Sequence, residues 1–259
     1  MEYPIYCINL KQRVDRKKYA KNEFKKINIK PTDVIFLDFY RHKKGGKYGC
    51  YDSHMKVWND FYMNHPDKEM CIIFEDDFEL TEDSKLYLKK AFSFTEKNKD
   101  KVDILFLHDN FIEYNNNHDK RDISNIYFTR GYGFLTHVYI VTRKYIKSIL
   151  DKNDNHLPKP NGIHIDIDIN MNKESVLYSE NIFYCIKPNF IQNKVFESDN
   201  YHNIIDKELR KKYNDIFLGS SIVKILKGIN LFIKYDHEKT KKIVMFSHKL
   251  YSKDKLILY

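Results

Sequence analysis

The chain has 259 residues, of which 42% are hydrophobic and 31% are charged. This composition excludes an intrinsically disordered chain and is typical of one substantial globular domain with an appendage, or of two small domains. The net charge is +9, and residues 200–259, with 13 Lys/Arg and 6 Asp/Glu, carry +7 of it. The sequence therefore predicts a nearly neutral domain, residues 1–199, and a basic helical C-terminal extension, residues 200–259.

Cysteine usage and hydropathy indicate the compartment. The four cysteines are Cys7, Cys50, Cys71 and Cys185, and none forms a Cys-x-x-Cys pair. This pattern argues against a disulfide framework and favours a reducing environment. No apolar run approaches the ~20 residues that span a bilayer, and the sequence enters a predicted strand without a signal peptide. We therefore expect a cytoplasmic protein, either unattached or peripheral at a membrane surface.

The first predicted strand, residues 5–10, ends in polar and basic residues. Asn9 closes the strand, and Arg13 and Arg16 follow in the loop that begins a helix reaching about Ile27. An amide can bind a base or a ribose, and guanidinium groups match phosphate oxygens, so this segment is a candidate nucleotide cradle. A solvated basic helix start explains the same residues, and the sequence leaves both interpretations open.

A second predicted strand, residues 34–38, precedes a flexible basic loop and a helix that continues to about Tyr62. Asp52 or Ser53 is expected to cap this helix, which places Ser53 and His54 in its first turn. Backbone N–H groups at a helix start favour anions, so these two residues are candidates for the nucleotide side of a site. The alternative is a capping serine beside a hydrogen-bonded histidine.

The central chemical signal is a run of three acids, Glu75, Asp76 and Asp77, directly after the apolar residues 71–74. The apolar run has the length of a buried strand, and open α/β sheets bind ligands at the carboxyl ends of such strands. Carboxylate oxygens at that place suit a Mg²⁺ or Mn²⁺ ion that carries a diphosphate. A solvated turn whose acids cap the next helix is the other interpretation.

The second half of the chain is predicted to contain strands at residues 102–107 and 181–186, and residues 131–141 are predicted to be a glycine turn that enters a strand. Residues 111–130, which follow soon after Asp109, are polar and lack periodicity, so they are expected to form a long loop. In residues 161–170, alternation places Asp166 and Asp168 on one face if the segment is extended. That face is either part of a site or the polar side of an ordinary edge strand.

In this order the segments resemble glycosyltransferase family 25, which contains bacterial lipopolysaccharide and lipooligosaccharide galactosyltransferases and collagen hydroxylysine galactosyltransferases. The resemblance extends over roughly residues 3–199. It is carried by the Asn-Leu…Arg…Arg element that ends at Arg16, the Gly-Cys…Ser-His…Trp block from Gly49 to Trp58, and the Glu-Asp-Asp signature at residues 75–77. Later blocks follow in the same order.

The resemblance implies a GT-A-type, Rossmann-like fold: a mixed, mainly parallel sheet flanked by helices, with a nucleotide-sugar at the strand ends. It also implies an inverting, metal-dependent enzyme that uses Mn²⁺ (or Mg²⁺) at a DxD-like motif and a UDP-sugar as donor. The hexose would be galactose, or glucose or N-acetylglucosamine. The acceptor would be a hydroxyl on a glycan, a lipid-linked sugar or a hydroxylysine-type protein side chain. Metal and basic groups would neutralise the leaving UDP, and a carboxylate would deprotonate the acceptor.

The resemblance also implies roles for individual residues. Asp77 and Glu75 are the expected metal ligands, Asp77 being the more direct, and Asp76 is expected to contact the donor sugar. The other candidates for binding the nucleotide-sugar are Asn9, Arg13, Arg16, Ser53 and His54. The candidates for the general base are Asp166, slightly ahead of Asp168, with Asp109 in reserve.

Two other functions fit parts of the sequence. A UDP-sugar- or glycan-binding module that has lost catalysis would keep the fold, although the intact acids argue against it. A nucleic-acid binder is motivated by the basic tail alone, and we expect no nucleic-acid partner. Within that tail, residues 220–234 have the pattern of an interfacial helix for peripheral membrane contact, or of a C-terminal helix packed on the domain.

Overall fold

A computed structural model describes residues 2–80, 83–107, 111–113, 121–123, 126–133, 136–152, 167, 171, 182–185 and 190–192. The strands in these residues are β1 (Ile5–Leu10), β2 (Val34–Phe39), β3 (Met70–Glu75), β4 (Phe78–Leu80), β5 (Ile104–Phe106), β6 (Phe111–Glu113), β7 (Arg121–Ile123), β8 (Ile126–Gly133), β9 (Val138–Thr142), β10 (Ile182–Cys185) and β11 (Phe190–Gln192). The helices that bear on the site are α1 (Val14–Lys26), α2 (Gly46–Asn64), α3 (Ser84–Lys97) and α4 (Arg143–Lys152).

The large sheet is mixed. Its strand order is β2-β1-β3-β9-β5-β10-β8-β6, with β7 paired to β8, while β4 and β11 form a small second sheet. Parallel pairs join β1 to β2, β1 to β3 and β5 to β10. Strands β9 and β8 run against their neighbours, so the remaining strands of the large sheet point the same way. The predicted mixed, mainly parallel sheet is confirmed.

Helices cover both faces of this sheet. Successive side chains of a strand point to opposite faces, so Cys7 and Phe74 pack in a core with α1 and α3, whereas Tyr6 and Ile73 pack in a core with α2 and α4. Residues 70–74 of β3 are fully buried. Burial on both faces explains why β3 is a continuous apolar run rather than an alternating one.

Two predicted elements are wrong. Residues 111–130, expected to form a loop, contain β6, β7 and the start of β8. Strands β6 and β7 both pair with β8, although the sequence has no alternation of apolar and polar residues that would predict these strands. Helix α2 begins at Gly46 instead of near Asp52. Gly45 precedes it with φ of 106°, a conformation that glycine adopts without strain. The Asp52 carboxylate does not cap the helix but pairs with Lys56 at 2.6 Å.

Arg143, the first residue of α4, secures the end of α2. Its guanidinium donates hydrogen bonds to the backbone carbonyls of Phe61, Tyr62, His65 and Lys68. The Tyr62 carbonyl lies in the last turn of α2, where carbonyls lack a partner inside the helix, and His65 and Lys68 follow the helix, so these bonds hold both its end and the chain beyond it. Thr142 caps helix α4 itself, since its Oγ1 accepts the Tyr145 N–H at 3.4 Å.

Several predicted features lie outside the described residues: Asp109, Asp166, Asp168 and the extension at residues 200–259. Ile167, between two of the candidate bases, is helical and buried, as is Met171 one turn later, and both pack beside Tyr145. Among the described helices, none has the length and apolar character needed to cross a bilayer.

Candidate active site at the end of β3

Two neighbouring strands bring polar residues to the carboxyl end of β3. β3 ends at Glu75, and Asp76 and Asp77 form the turn into β4. Parallel β1 places Ile8 opposite Glu75, so Asn9 follows at the same edge of the sheet. Antiparallel β9 starts at this edge, and the Glu75 N–H donates to the His137 carbonyl at 2.9 Å. The chain before β9 is thereby held against the acids.

Glu75, Asp77 and His137 form a compact set, which we call the acid–histidine cluster. His137 Nδ1 lies 3.6 Å from Glu75 Oε2 and 3.7 Å from Asp77 Oδ1. One potential ligand atom from each residue lies within 4.8 Å of the other two, close enough for a single metal ion to bind all three. The cluster joins the two acids proposed as ligands from the sequence to a histidine that sequence reasoning missed.

The charges in this cluster depend on one another. Burial lowers the pKa of His137, but the carboxylates of Asp77 and Glu75 outweigh burial and raise that pKa to about 10. Burial raises the pKa of Glu75, but His137 and His54 outweigh it and hold that pKa well below its ordinary value. At neutral pH, Glu75 is therefore a carboxylate and His137 an imidazolium.

Arg16, in the first turn of α1, lies against the other two acids. Its Nη1 is 2.9 Å from Asp76 Oδ1 and 3.7 Å from Asp77 Oδ2, and the three side chains are only 7–8% exposed. Burial raises the pKa of Asp76 to about 7, although Arg16 opposes the shift. Arg16, proposed from the sequence to face a nucleotide, therefore makes its close contacts with protein carboxylates.

Asn9 and Arg13 have different surroundings. Asn9 is 1% exposed; its Nδ2 donates to the Leu10 carbonyl, while its Oδ1 is buried without a hydrogen-bond partner among the described residues. Buried acceptors are normally satisfied, so the Asn9 oxygen is a candidate acceptor for a ligand N–H or hydroxyl group. Arg13 forms a forked pair with the exposed Asp15 at the start of α1, at 2.9 and 3.0 Å.

A buried series of hydrogen bonds, which we call the Trp58–Tyr139–His54 relay, leads to Glu75. Trp58 Nε1–H donates to the Tyr139 hydroxyl at 3.1 Å, and that hydroxyl lies 2.7 Å from His54 Nδ1. His54 Nε2 lies 3.3 Å from Glu75 Oε1, to which the Thr136 hydroxyl also donates. If the Tyr139 hydroxyl donates to Nδ1, the ring proton is on Nε2 and is donated to Glu75. The relay therefore orients the carboxylate.

Ser53 and His54 do not lie in the first turn of α2, so that part of their prediction is wrong. Because α2 starts at Gly46, they lie about two turns inside it. Ser53 Oγ donates to the Cys50 carbonyl at 2.7 Å. His54 still reaches the site, through its side chain and not through the start of a helix. A nucleotide role for either residue stays a prediction.

Comparison with known proteins gives a family match. The family described as glycosyltransferase family 25 (LPS biosynthesis protein) matches residues 36–169, just over half of the chain. The matched span includes α2, β3 and the acid–histidine cluster. No curated protein matches the sequence.

The solved structures to which this chain is similar have low sequence identity and TM-scores below 0.5. One is a glycosyltransferase involved in the glycosylation of the major capsid of PBCV-1, with 12% identity over 68% of this chain and 76% of that chain, and a TM-score of 0.36. Another is mannose-1-phosphate geranyltransferase from Thermus thermophilus, with 9% identity, 79% and 82% coverage, and a TM-score of 0.45. The inositol-1-phosphate CTP transferase from T. maritima has 14% identity, 85% and 79% coverage, and a TM-score of 0.38.

Proposed function

Since this chain belongs to glycosyltransferase family 25, we propose that it transfers a hexose from a UDP-sugar to a hydroxyl acceptor with inversion at the sugar. The family establishes a glycosyltransferase, and the donor, the acceptor and the inversion are our proposal. The proposed hexose is galactose, or glucose or N-acetylglucosamine. The supporting observation is the acid–histidine cluster at the carboxyl end of β3, where open α/β sheets bind their ligands.

The donor atoms of the cluster fit a divalent cation. Carboxylates suit Mg²⁺ or Mn²⁺, and an imidazole shifts the preference towards a transition ion, so Mn²⁺ is the better candidate. Glu75, Asp77 and His137 would each supply one ligand atom, and the His137 imidazolium would release a proton when the ion binds. When bound, the ion would neutralise charge on the diphosphate of the donor.

The chain's own residues would bind and orient the donor around this cluster. Arg16 balances the charge of Asp76 and Asp77 and holds both acids in a nearly enclosed ion-pair cluster. The Trp58–Tyr139–His54 relay holds Glu75 in one orientation. Asn9 offers a buried oxygen that can accept a hydrogen bond from the uracil N–H or a ribose hydroxyl. Such preset groups stabilise developing charge without rearranging during the reaction.

The proposed reaction is a single displacement. The acceptor oxygen forms a bond to the anomeric carbon while the bond from that carbon to the UDP oxygen breaks. The hydroxyl proton passes to a carboxylate base, and the electron pair leaves on UDP. Asp166 is the first candidate for the base, followed by Asp168 and Asp109. All three lie outside the described residues, and their roles rest on the family resemblance.

The test is UDP release from a panel of UDP-sugars, with Mn²⁺ and with EDTA, in the absence of acceptor. We expect slow transfer to water from one donor, in Mn²⁺ and not in EDTA, which would identify the hexose. The Asp77→Asn variant should abolish this release. UDP binding by calorimetry without release from any donor, with or without candidate acceptors, would instead support a binding module that has lost catalysis.

We also propose that the basic extension, residues 200–259, holds the enzyme at an anionic membrane surface where a lipid-linked acceptor would be found. The proposal rests on its charge of +7 and on the apolar, lysine-bearing segment at 220–234. Co-sedimentation with phosphatidylserine liposomes should be lost when residues 220–259 are deleted. Unchanged co-sedimentation of a deletion variant that still binds UDP would refute the membrane role.

A further inference from the structure

We propose that Cys50, His54 and Glu75 form a second divalent-metal site, suited to Zn²⁺ and adjacent to the acid–histidine cluster. One potential ligand atom from each of the three residues lies within 4.8 Å of the other two. A thiolate, an imidazole and a carboxylate are ligands that zinc takes, and three protein ligands leave the fourth tetrahedral position for water. Thiolate is a poor ligand for Mg²⁺ or Mn²⁺, so the two sites differ in the ion they prefer.

The secondary structure sets the spacing of these ligands. Cys50 and His54 are four residues apart in α2, so their side chains project from the same face of the helix. Glu75 ends β3 beneath that face, with its Oε1 3.3 Å from His54 Nε2. Two ligand atoms of a tetrahedral zinc ion, each bound at about 2.0 Å, are themselves separated by about 3.3 Å. The His54–Glu75 pair therefore already has the separation that one ion requires.

The surroundings of His54 are those of an oriented metal ligand. The His54 side chain is fully buried, and its Nδ1 lies 2.7 Å from the Tyr139 hydroxyl. With Nε2 on the ion, the ring proton moves to Nδ1 and is donated to the Tyr139 oxygen, which takes the place of the carboxylate, carbonyl or water that usually orients a ligating histidine. Trp58 donates to the same oxygen and fixes it in place. Binding converts the Cys50 thiol to a thiolate and releases its proton to solvent.

Glu75 offers a different oxygen to each site. Its Oε1 faces His54 at 3.3 Å, and its Oε2 faces His137 at 3.6 Å. A bridging carboxylate of this kind allows both sites to be filled together, so we expect two ions per chain. Ions can reach the second site because Cys50 is half-buried and the Glu75 side chain is 23% exposed.

Titration with Co²⁺, a spectroscopic substitute for Zn²⁺, tests the site. Wild type should bind two ions and show a thiolate-to-cobalt charge-transfer band in the near ultraviolet. Cys50→Ser should lose the band and one of the two bound ions. Its affinity for Zn²⁺ at this site should fall at least about 10–100-fold, because loss of an outer-sphere partner alone lowers metal affinity by that much. Asp77→Asn is the matched control, which should keep the band and lose the other ion.

Three results would overturn the proposal: no band in wild type, a band that survives Cys50→Ser, or a band that disappears in Asp77→Asn. If Cys50→Ser does not fold, protection of Cys50 from alkylation in wild type tests the site instead. Zn²⁺ at 100 times its Kd should slow iodoacetamide modification of Cys50 about 100-fold, because only the unbound fraction reacts. An unchanged rate would also overturn the proposal. None of these measurements uses a sugar donor, so failure of the glycosyl-transfer proposal would leave them unaffected.

Discussion

The Arg16→Met substitution removes the positive charge that lies against Asp76 and Asp77 and keeps a long side chain in its place. The guanidinium is 2.9 Å from Asp76 Oδ1 and 3.7 Å from Asp77 Oδ2. All three side chains are almost fully enclosed, so water cannot replace the lost charge. Two buried acids would be left facing each other. Because Arg16 opposes the rise of the Asp76 pKa to about 7, its loss should raise that pKa further, and proton uptake by Asp76 should relieve part of the repulsion.

Removing one partner of a buried ion pair costs about 3–5 kcal/mol, because an uncompensated charge remains. We expect the free energy of unfolding to fall by about this amount, against a total of about 5–15 kcal/mol for an ordinary domain. The double variant Arg16→Met/Asp76→Asn should recover part of the loss, since an amide carries no charge. The coupling between the two sites should lie at about 0.5–3 kcal/mol.

Urea unfolding in metal-free buffer, followed by circular dichroism, measures these differences. Arg13→Met is the matched control, because Arg13 lies on the same helix start and pairs with Asp15, whose side chain is 57% exposed. Loss of that surface pair should cost about 0–1 kcal/mol. Equal losses in Arg16→Met and Arg13→Met, or a double variant that recovers nothing, would refute the reasoning.

Three further predictions concern the surroundings of the site. Tyr139→Phe leaves the buried Trp58 N–H without its acceptor, so it should cost about 1–3 kcal/mol and shift the emission of Trp58, the single tryptophan; an unchanged spectrum would contradict the relay. Arg143→Met removes donors from four backbone carbonyls at and just beyond the end of α2 and should cost at least about 1–3 kcal/mol in urea unfolding, whereas Lys147→Met, which removes only an exposed pair with Asp151 on α4, should cost much less. Mn²⁺ at 100 times its Kd should stabilise wild type by about 2.7 kcal/mol in thermal melts, EDTA should reverse this, and persistence of the effect in Asp77→Asn would count against the metal site.

Local signals in the sequence are sufficient to predict the strands around the site. Residues 70–74 are apolar without interruption because both faces of β3 are covered, and the acids follow at once. β1 is likewise a mostly buried strand, and the polar residue Asn9 lies near its end. The strands and the position of Glu75 and Asp77 at a strand end are therefore predictable from runs of hydrophobicity and from the general position of ligands in α/β sheets, whereas the mixed sheet is predicted through the family resemblance.

The contribution of His137 depends on a pairing that the sequence does not signal. From its sequence, β9 could pair with a neighbouring strand in either the parallel or the antiparallel direction. Only the antiparallel pairing with β3 places the residues before Val138 beside Glu75. The start of α2 is predicted wrongly for a different reason. Asp52 and Ser53 are the residue types that cap helices, but the turn at Gly45 lets the helix begin earlier.

Anomalous diffraction at the manganese edge, from a crystal grown with Mn²⁺ and UDP, most directly tests whether the acid–histidine cluster holds the metal of a nucleotide-sugar donor. We predict a manganese peak between Glu75, Asp77 and His137, in contact with the diphosphate oxygens of UDP. A manganese peak elsewhere, or UDP bound away from the end of β3, would contradict the proposed site.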